Sequence, residues 1–250
     1  MINMDDKYFY ETNDNIRAYE VGFNGKLLLS GVLVRAQEVS EDHGVATNIG
    51  REDLIGSRGL CWMILHMRFE ADRYPKIADK VKTRTWAYVK GRTAVHRNYV
   101  LTSPEGESYF RGSSEWVLYR LNDRKLALPK AIADLWHEEK RIEDLAEDTP
   151  RQRAFADTEP FVSHTVTFTD CDMNRHMNNV KYLDTVIDSY PLDFVLTHEI
   201  AVFDVTYVNQ AAPGEQLDIR KREEGDTHFI SAFVGDRNIF NTIIEWRPSV

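Results

Sequence analysis

Alternation with a period of two runs through most of this chain. From Trp62 to Phe69, Met63, Leu65, Met67 and Phe69 alternate with Trp62, Ile64, His66 and Arg68. That spacing predicts a strand with the two sets on opposite faces of a sheet. Val81–Val89, Thr93–Thr102 and Tyr109–Leu121 read the same way, with Ser103-Pro104-Glu105-Gly106-Glu107 as the turn joining the last two. Later strands are predicted at Phe161–Phe168, Ile200–Val208, Glu215–Arg222, His228–Val234 and Ile239–Trp246, the last pair joined by Gly235-Asp236-Arg237-Asn238. One segment breaks the pattern. Val180, Leu183, Val186, Ile187 and Tyr190 recur at helical spacing, and Lys181, Asp184 and Asp188 take the opposite face. This predicts a helix over Asn179–Tyr190, capped by Asn178 or Asn179 and ended by Pro191. The matching helix of the first half is expected within Val45–Gly59, a stretch interrupted by Gly50, Gly56 and Gly59.

The halves repeat each other. Met67-Arg68-Phe69, Tyr74-Pro75, Ala78-Asp79 and Val81 line up at constant offset with Phe203-Asp204-Val205, Gln210-Ala211, Gly214-Glu215 and Leu217. Phe110 precedes Glu115-Trp116 as Phe240 precedes Glu245-Trp246. Self-similarity on this scale indicates a duplicated domain. Each unit offers one helix to cover the apolar face of several long antiparallel strands, which predicts an α+β class with a sheet wrapped around a central helix. The expected domains are 1–136 and 159–250, joined by a charged linker over 137–158 in which apolar residues nearly vanish.

With 250 residues, 42% of them hydrophobic and 28% charged, the composition is that of an ordinary globular protein. A net charge of -9 argues against a general nucleic-acid binder. The basic residues are uneven: Lys80, Lys82, Arg84, Lys90, Arg92 and Arg97 fall in one short stretch. No apolar run is long enough to span a membrane. Met1–Glu11 lacks the basic flank and apolar core of a secretory signal. Two cysteines, Cys61 and Cys171, make no disulfide framework and suit the cytoplasm. The histidines show no paired metal spacing, and no phosphate loop or dinucleotide fingerprint occurs, so neither metal nor cofactor is expected.

The predicted helix is preceded by Phe168-Thr169-Asp170-Cys171-Asp172-Met173-Asn174-Arg175-His176-Met177-Asn178. A helix N-terminus presents unpaired N–H groups to developing negative charge, as acyl transfer requires. An imidazole moves protons near neutral pH, and a carboxylate can orient it or activate water. The same residue types also serve simply to cap helices. Local chemistry alone leaves both readings open. Cys171 is read as a small strand-end residue rather than a nucleophile.

Asp172-Met173-Asn174-Arg175-His176-Met177-Asn178-Asn179-Val180-Lys181-Tyr182 resembles the signature of the acyl-ACP thioesterases, which release fatty acids from acyl carrier protein. The resemblance extends to Tyr74-Pro75, Thr85-Trp86, Gly91-Arg92, Ser114-Glu115-Trp116, and Tyr207 with Gly214. It implies a tandem double hotdog fold, thioester hydrolysis, and catalytic roles for Asp172, Asn174 and His176. Where the family carries an acidic residue after the next strand, this chain has Gln210, and Ala211 replaces the cysteine of plant members. Gln cannot accept a proton from water but can hold one. The base is therefore His176 or Asp172, with Gln210 positioning water; direct attack by Asp172 is a further route. The resemblance also implies that the first unit shapes an acyl tunnel, with Met63, Leu65, Met67 and Trp86 as candidate walls. Acyl carrier protein is the implied partner, and Lys90 and Arg92 are candidate docking residues for its acidic surface. Acyl-CoA hydrolysis and non-catalytic acyl binding are the competing functions. A monomer or a homodimer would satisfy the fold.

Overall fold

The computed structural model describes residues 8–135 and 151–249. The chain divides into two units, Met1–Glu147 and Asp148–Val250.

The first unit contains β1 (Phe9–Asn15), α1 (Leu29–Ala46), α2 (Arg51–Arg58), β2 (Leu60–Ala71), β3 (Lys80–Lys90), β4 (Ala94–Thr102), β5 (Ser108–Arg120) and β6 (Lys125–Ala127). Its antiparallel sheet runs β1-β3-β4-β5-β2, with β6 on β5. The second unit contains β7 (Val162–Thr165), α3 (Asn179–Asp188), α4 (Leu192–Thr197), β8 (His198–Tyr207), β9 (Gln216–Glu224), β10 (Thr227–Val234) and β11 (Arg237–Pro248). Its sheet runs β8-β11-β10-β9-β7, also antiparallel. One long helix lies against each sheet, as the strand-rich pattern with one amphipathic segment requires.

The first unit's central helix is α1, not a helix within Val45–Gly59. Leu29, Val32, Leu33, Ala36, Val39 and His43 form its buried stripe. The segment expected to be that helix holds only the end of α1, a turn and the short α2, whose Leu54 joins Ile49, Leu60 and Leu118 in a small apolar cluster. Each large side chain so buried contributes about 1.5–3 kcal/mol.

The period-two reading of β2 also needs correction. A bulge between Ile64 and His66 sets Leu65 out of register with β5. Directly paired residues of antiparallel strands share a face. Met67 pairs with Ser114, Ser114 with Arg97, and Arg97 Nη1 lies 3.0 Å from His43 Nδ1 of α1, so this face looks toward the helix. Trp86 pairs with Asn98 and Asn98 with Ser113, one residue out of phase, and Met63 pairs with Val117 on that same opposite face. Of the four candidate tunnel residues only Met67 therefore faces α1. Trp86 and Met63 face away, and Leu65 sits at the bulge. Val32, Ala36, Phe69, Tyr99 and Leu101 line a gap of about 10 Å³ between α1 and the sheet, room for one water at most.

The chain before each central helix is folded twice to one design. Val21 bridges Leu27 in the first unit, and Cys171 bridges Met177 in the second. Gly25 N–H donates to Gly22 O at 2.9 Å, and Arg175 N–H donates to Asp172 O at 3.0 Å. Leu27 N–H reaches Pro75 O at 2.8 Å, and Met177 N–H reaches Ala211 O at 2.9 Å. Residue by residue, Gly22, Asn24 and Lys26 stand where the second unit has Asp172, Asn174 and His176.

The strand expected over Phe161–Phe168 is shorter, Val162–Thr165, followed by a 3-10 turn at Phe168–Asp170. The helix α3 stops at Asp188, and Pro191 opens α4 instead. The linker expected over 137–158 lies outside the described residues up to position 150. Beyond it, Phe155, Ala156 and Asp157 lie along β9 and β10, through Phe155 N–H to Ser231 Oγ, Arg220 to Ala156 O, and the Arg222–Asp157 ion pair.

Candidate active site

Asp172 to His176 form a tight hairpin directly before α3. Its closing bond runs from Asp172 N–H to His176 O at 3.1 Å. Asp172 accepts the Asn174 backbone N–H on Oδ1 at 2.8 Å and the Asn174 side-chain Nδ2 on Oδ2 at 3.2 Å. The carboxylate thus fixes the amide that follows it. His176 is half-buried, and among the described residues its ring meets no hydrogen-bond partner. Asn178 caps α3, its Oδ1 accepting the Val180 N–H at 2.9 Å, which resolves the choice between Asn178 and Asn179.

Beneath the hairpin, Asp170 accepts from Thr167 N–H and Thr167 Oγ1 at 2.7 Å each, and lies 2.9 Å from His164 Nε2. Burial pushes this carboxyl up, but the Thr167 bonds and His164 outweigh it and hold it below its ordinary range. Asp170 is a structural carboxylate. Cys171 points its thiol at Thr167 O, 3.4 Å away. Burial and the Asp170 and Asp172 carboxylates push that thiol up, which suppresses the thiolate a nucleophile needs.

Gln210 lies in the loop after β8 and is exposed, with no side-chain partner among the described residues. Its backbone oxygen accepts Arg237 Nη1 at 2.6 Å. Arg237 also pairs with Glu215 at 2.6 Å, and Glu215 accepts the Ala212 N–H at 2.8 Å. The Ala212 bond and Arg237 hold the Glu215 carboxyl low, so this nearby carboxylate is a poor base. Two bonds tie the Gln210 loop to the hairpin and helix: Met177 N–H to Ala211 O, and Ala211 N–H to the Tyr182 hydroxyl at 3.1 Å. Burial pushes the Tyr182 phenol up to about 12, so it stays protonated. The structure therefore joins Asp172 to Asn174 directly, and joins the backbones carrying them to that of Gln210. It makes no side-chain bond from His176 or Gln210 to the others. Arg237 was not foreseen, and Tyr182 stood only as part of the quoted signature, with no role assigned to it. A hydroxyl on the buried stripe of α3, where an aliphatic residue would suffice, was the available signal for Tyr182.

Lys90 ends β3 and Arg92 stands exposed in the β3–β4 turn; the Lys90 side chain is outside the described ones. Among the described residues no group of three or more His, Cys, Asp or Glu is placed to hold a metal, and no helix is long and apolar enough to cross a membrane.

Two hotdog units in tandem, one with an Asp-Asn-His hairpin at its helix N-terminus and one with that hairpin emptied of acid and imidazole, define a double hotdog protein with a single hydrolase-type loop. Residues 7–134 match the acyl-ACP thioesterase N-terminal domain and residues 156–248 the C-terminal domain. The chain belongs to the acyl-ACP thioesterase family. It is 27% identical over 93% of its length to the chloroplastic oleoyl-acyl carrier protein thioesterase 2 of Arabidopsis thaliana, covering 68% of that protein. It is 27% identical over 81% of its length to the chloroplastic palmitoyl-acyl carrier protein thioesterase of Gossypium hirsutum, spanning 52% of it. In fold it superposes on an acyl-ACP thioesterase from Bacteroides thetaiotaomicron with a TM-score of 0.84 at 21% identity, over 96% of this chain and 98% of that one. The 12:0-ACP thioesterase of Umbellularia californica gives the same TM-score, 0.84, at 21% identity and the same coverage, 96% and 98%.

Proposed function

We propose that this chain hydrolyses the thioester of fatty acyl groups carried on acyl carrier protein and releases the free fatty acid. The observation that carries the reading is the Asp172–Asn174 pairing in a hairpin at the N-terminus of α3, within a chain that matches both domains of the family. Both curated relatives named above act on acyl carrier protein thioesters.

In this reading Asp172 orients the Asn174 amide, which meets the carbonyl oxygen as it gains charge at the positive end of α3. Gln210 holds a water by its amide. His176, with no competing partner among the described residues, takes the proton as the water oxygen bonds to the thioester carbon. The C–S bond then breaks, and the proton passes from the imidazole to the leaving thiolate. Asp172 as the base, or as a nucleophile forming an anhydride, is the alternative. Label from oxygen-18 water found in the Asp172 carboxylate after single turnover would support direct attack.

The first unit, with Gly22 and Lys26 in the equivalent hairpin, serves the acyl chain and the carrier rather than the chemistry. Arg92, with Lys90 beside it in sequence, is proposed to meet the acidic carrier. The free thiols Cys61 and Cys171 support a cytoplasmic location; recovery of the tagged protein from a secreted fraction would contradict that.

The test is fatty acid release from a panel of acyl carrier protein thioesters beside the matching CoA thioesters. Higher kcat/KM on the carrier series supports the reading. Preference for CoA would move the chain to acyl-CoA hydrolysis, and acyl groups copurifying uncleaved would make it a binding protein.

A further inference from the structure

Arg175 sits between Asn174 and His176 in a backbone conformation that side chains avoid, with φ at 66°. The twin hairpin of the first unit places Gly25 at the equivalent position, with φ at 70°. Glycine takes this conformation at no steric cost. The second unit thus keeps a strained arginine where its own duplicate shows that the turn needs none.

Nothing inside the protein accounts for that side chain. Arg175 is exposed, and among the described residues its guanidinium makes no hydrogen bond or ion pair. Carboxylates are at hand but occupied: Asp172 holds Asn174, and Asp170 holds Thr167 and His164. Phe168, in the preceding 3-10 turn, and Met173, in the hairpin, are exposed at 90% and 72%. The result is an unpaired, permanently charged fork beside the acyl-transfer hairpin, with apolar surface next to it.

We infer that Arg175 receives the phosphate ester of the pantetheine arm that delivers the acyl group. This deepens the thioesterase reading and rests on it. The arm carries its thioester at one end and a phosphate ester at the other. A guanidinium matches phosphate oxygens with paired donors. A long side chain at an exposed position of the hairpin suits a ligand whose anionic group lies away from the reacting carbon. Carrier protein and CoA both present this ester, so the contact alone does not choose between them.

The test compares wild type, Arg175→Gln and Arg175→Lys on one acyl group presented three ways: on carrier protein, on CoA, and on pantetheine without phosphate. The expected result is a rise in KM of about tenfold for Arg175→Gln on both phosphate-bearing substrates, partial recovery in Arg175→Lys, and a KM on acyl-pantetheine matching wild type. The Arg175→Gln effect should shrink as salt rises. A KM change shared by all three substrates, or none on any, would overturn the inference while leaving the thioesterase reading intact. An effect on carrier protein alone would assign Arg175 to the carrier's own surface and also overturn the phosphate contact. If wild type cleaves none of the three, the underlying reading fails and takes this one with it.

Discussion

The Tyr182 hydroxyl on α3 accepts the backbone N–H of Ala211 at 3.1 Å, and so couples the helix that follows the Asp172–His176 hairpin to the loop that carries Gln210. Ala211 is fully buried, so no water can replace that acceptor without rearrangement. Tyr182→Phe should cost about 1–3 kcal/mol by leaving the N–H unsatisfied. It should also lower kcat several-fold with little change in KM, because Gln210 loses its anchor to the helix. Denaturant unfolding and steady-state kinetics on one carrier substrate check both halves.

Asn178 caps the N-terminus of α3 with its side chain. Asn178→Ala should destabilise the protein by about 1 kcal/mol, while Asn179→Ala, at the first helical position, should cost less. Thermal unfolding of the two variants side by side makes the comparison.

Arg175→Gly removes a left-handed conformation from a side chain that resists it. The variant should gain about 1 kcal/mol, a rise in Tm of about 2–4 °C for a chain of this size. The reciprocal change, Gly25→Arg, should lower Tm. A falling Tm in Arg175→Gly would mean that the side chain makes contacts within the fold.

Asp170 contributes to the acid limb of stability. Its folded value is depressed below the ordinary 3.8, so its contribution is fully present above that value and is lost as pH falls through the folded one. Asp170→Asn should lower stability at neutral pH and flatten the decline below about pH 4. Unfolding free energies measured across the acid range for both proteins test the sign.

Charge reversal at Arg92, alone and with Lys90, should raise KM for carrier-linked substrate and spare a small thioester, because surface charge mainly governs encounter. Equal effects on both substrates would remove this turn from the docking surface.

The second unit was legible because its signals agree. Val180, Leu183 and Val186 set a clear helical stripe, Asn178 and Pro191 punctuate it, and the strands alternate cleanly. The first unit writes its helix in weaker terms. Leu29, Val32, Leu33, Ala36 and Val39 keep the helical period, but Ala36 is small, His43 closes the stripe with a polar ring, and Gly31 and Gly44 lie within it. Gly31 and Gly44 have packing reasons: a Cβ at Gly31 would meet Leu27 at 2.7 Å, and one at Gly44 would meet Gly50 at 3.0 Å. The strand β1, Phe-Tyr-Glu-Thr-Asn-Asp-Asn, lacks strand composition and is held by pairing to β3 and by Glu11 to Arg84 at 3.0 Å. The β2 bulge at Leu65 has no sequence mark, yet it inverts the phase and so decides which candidate tunnel residues face α1. In the candidate site, the Asp-x-Asn-x-His run was readable through its resemblance to the acyl-ACP thioesterase signature, since its local chemistry alone left a helix-capping loop equally open. The Tyr182 and Arg237 clamps depend on contacts between distant segments, which no local pattern records.

The central claim is that the Asp172–His176 hairpin hydrolyses acyl carrier protein thioesters with His176 moving the proton. The most direct measurement is kcat for wild type and His176→Ala on the best carrier substrate, with circular dichroism to show that both are folded. A fall of about 10²- to 10⁴-fold is expected in the variant. A folded His176→Ala protein that retains wild-type kcat would contradict the claim.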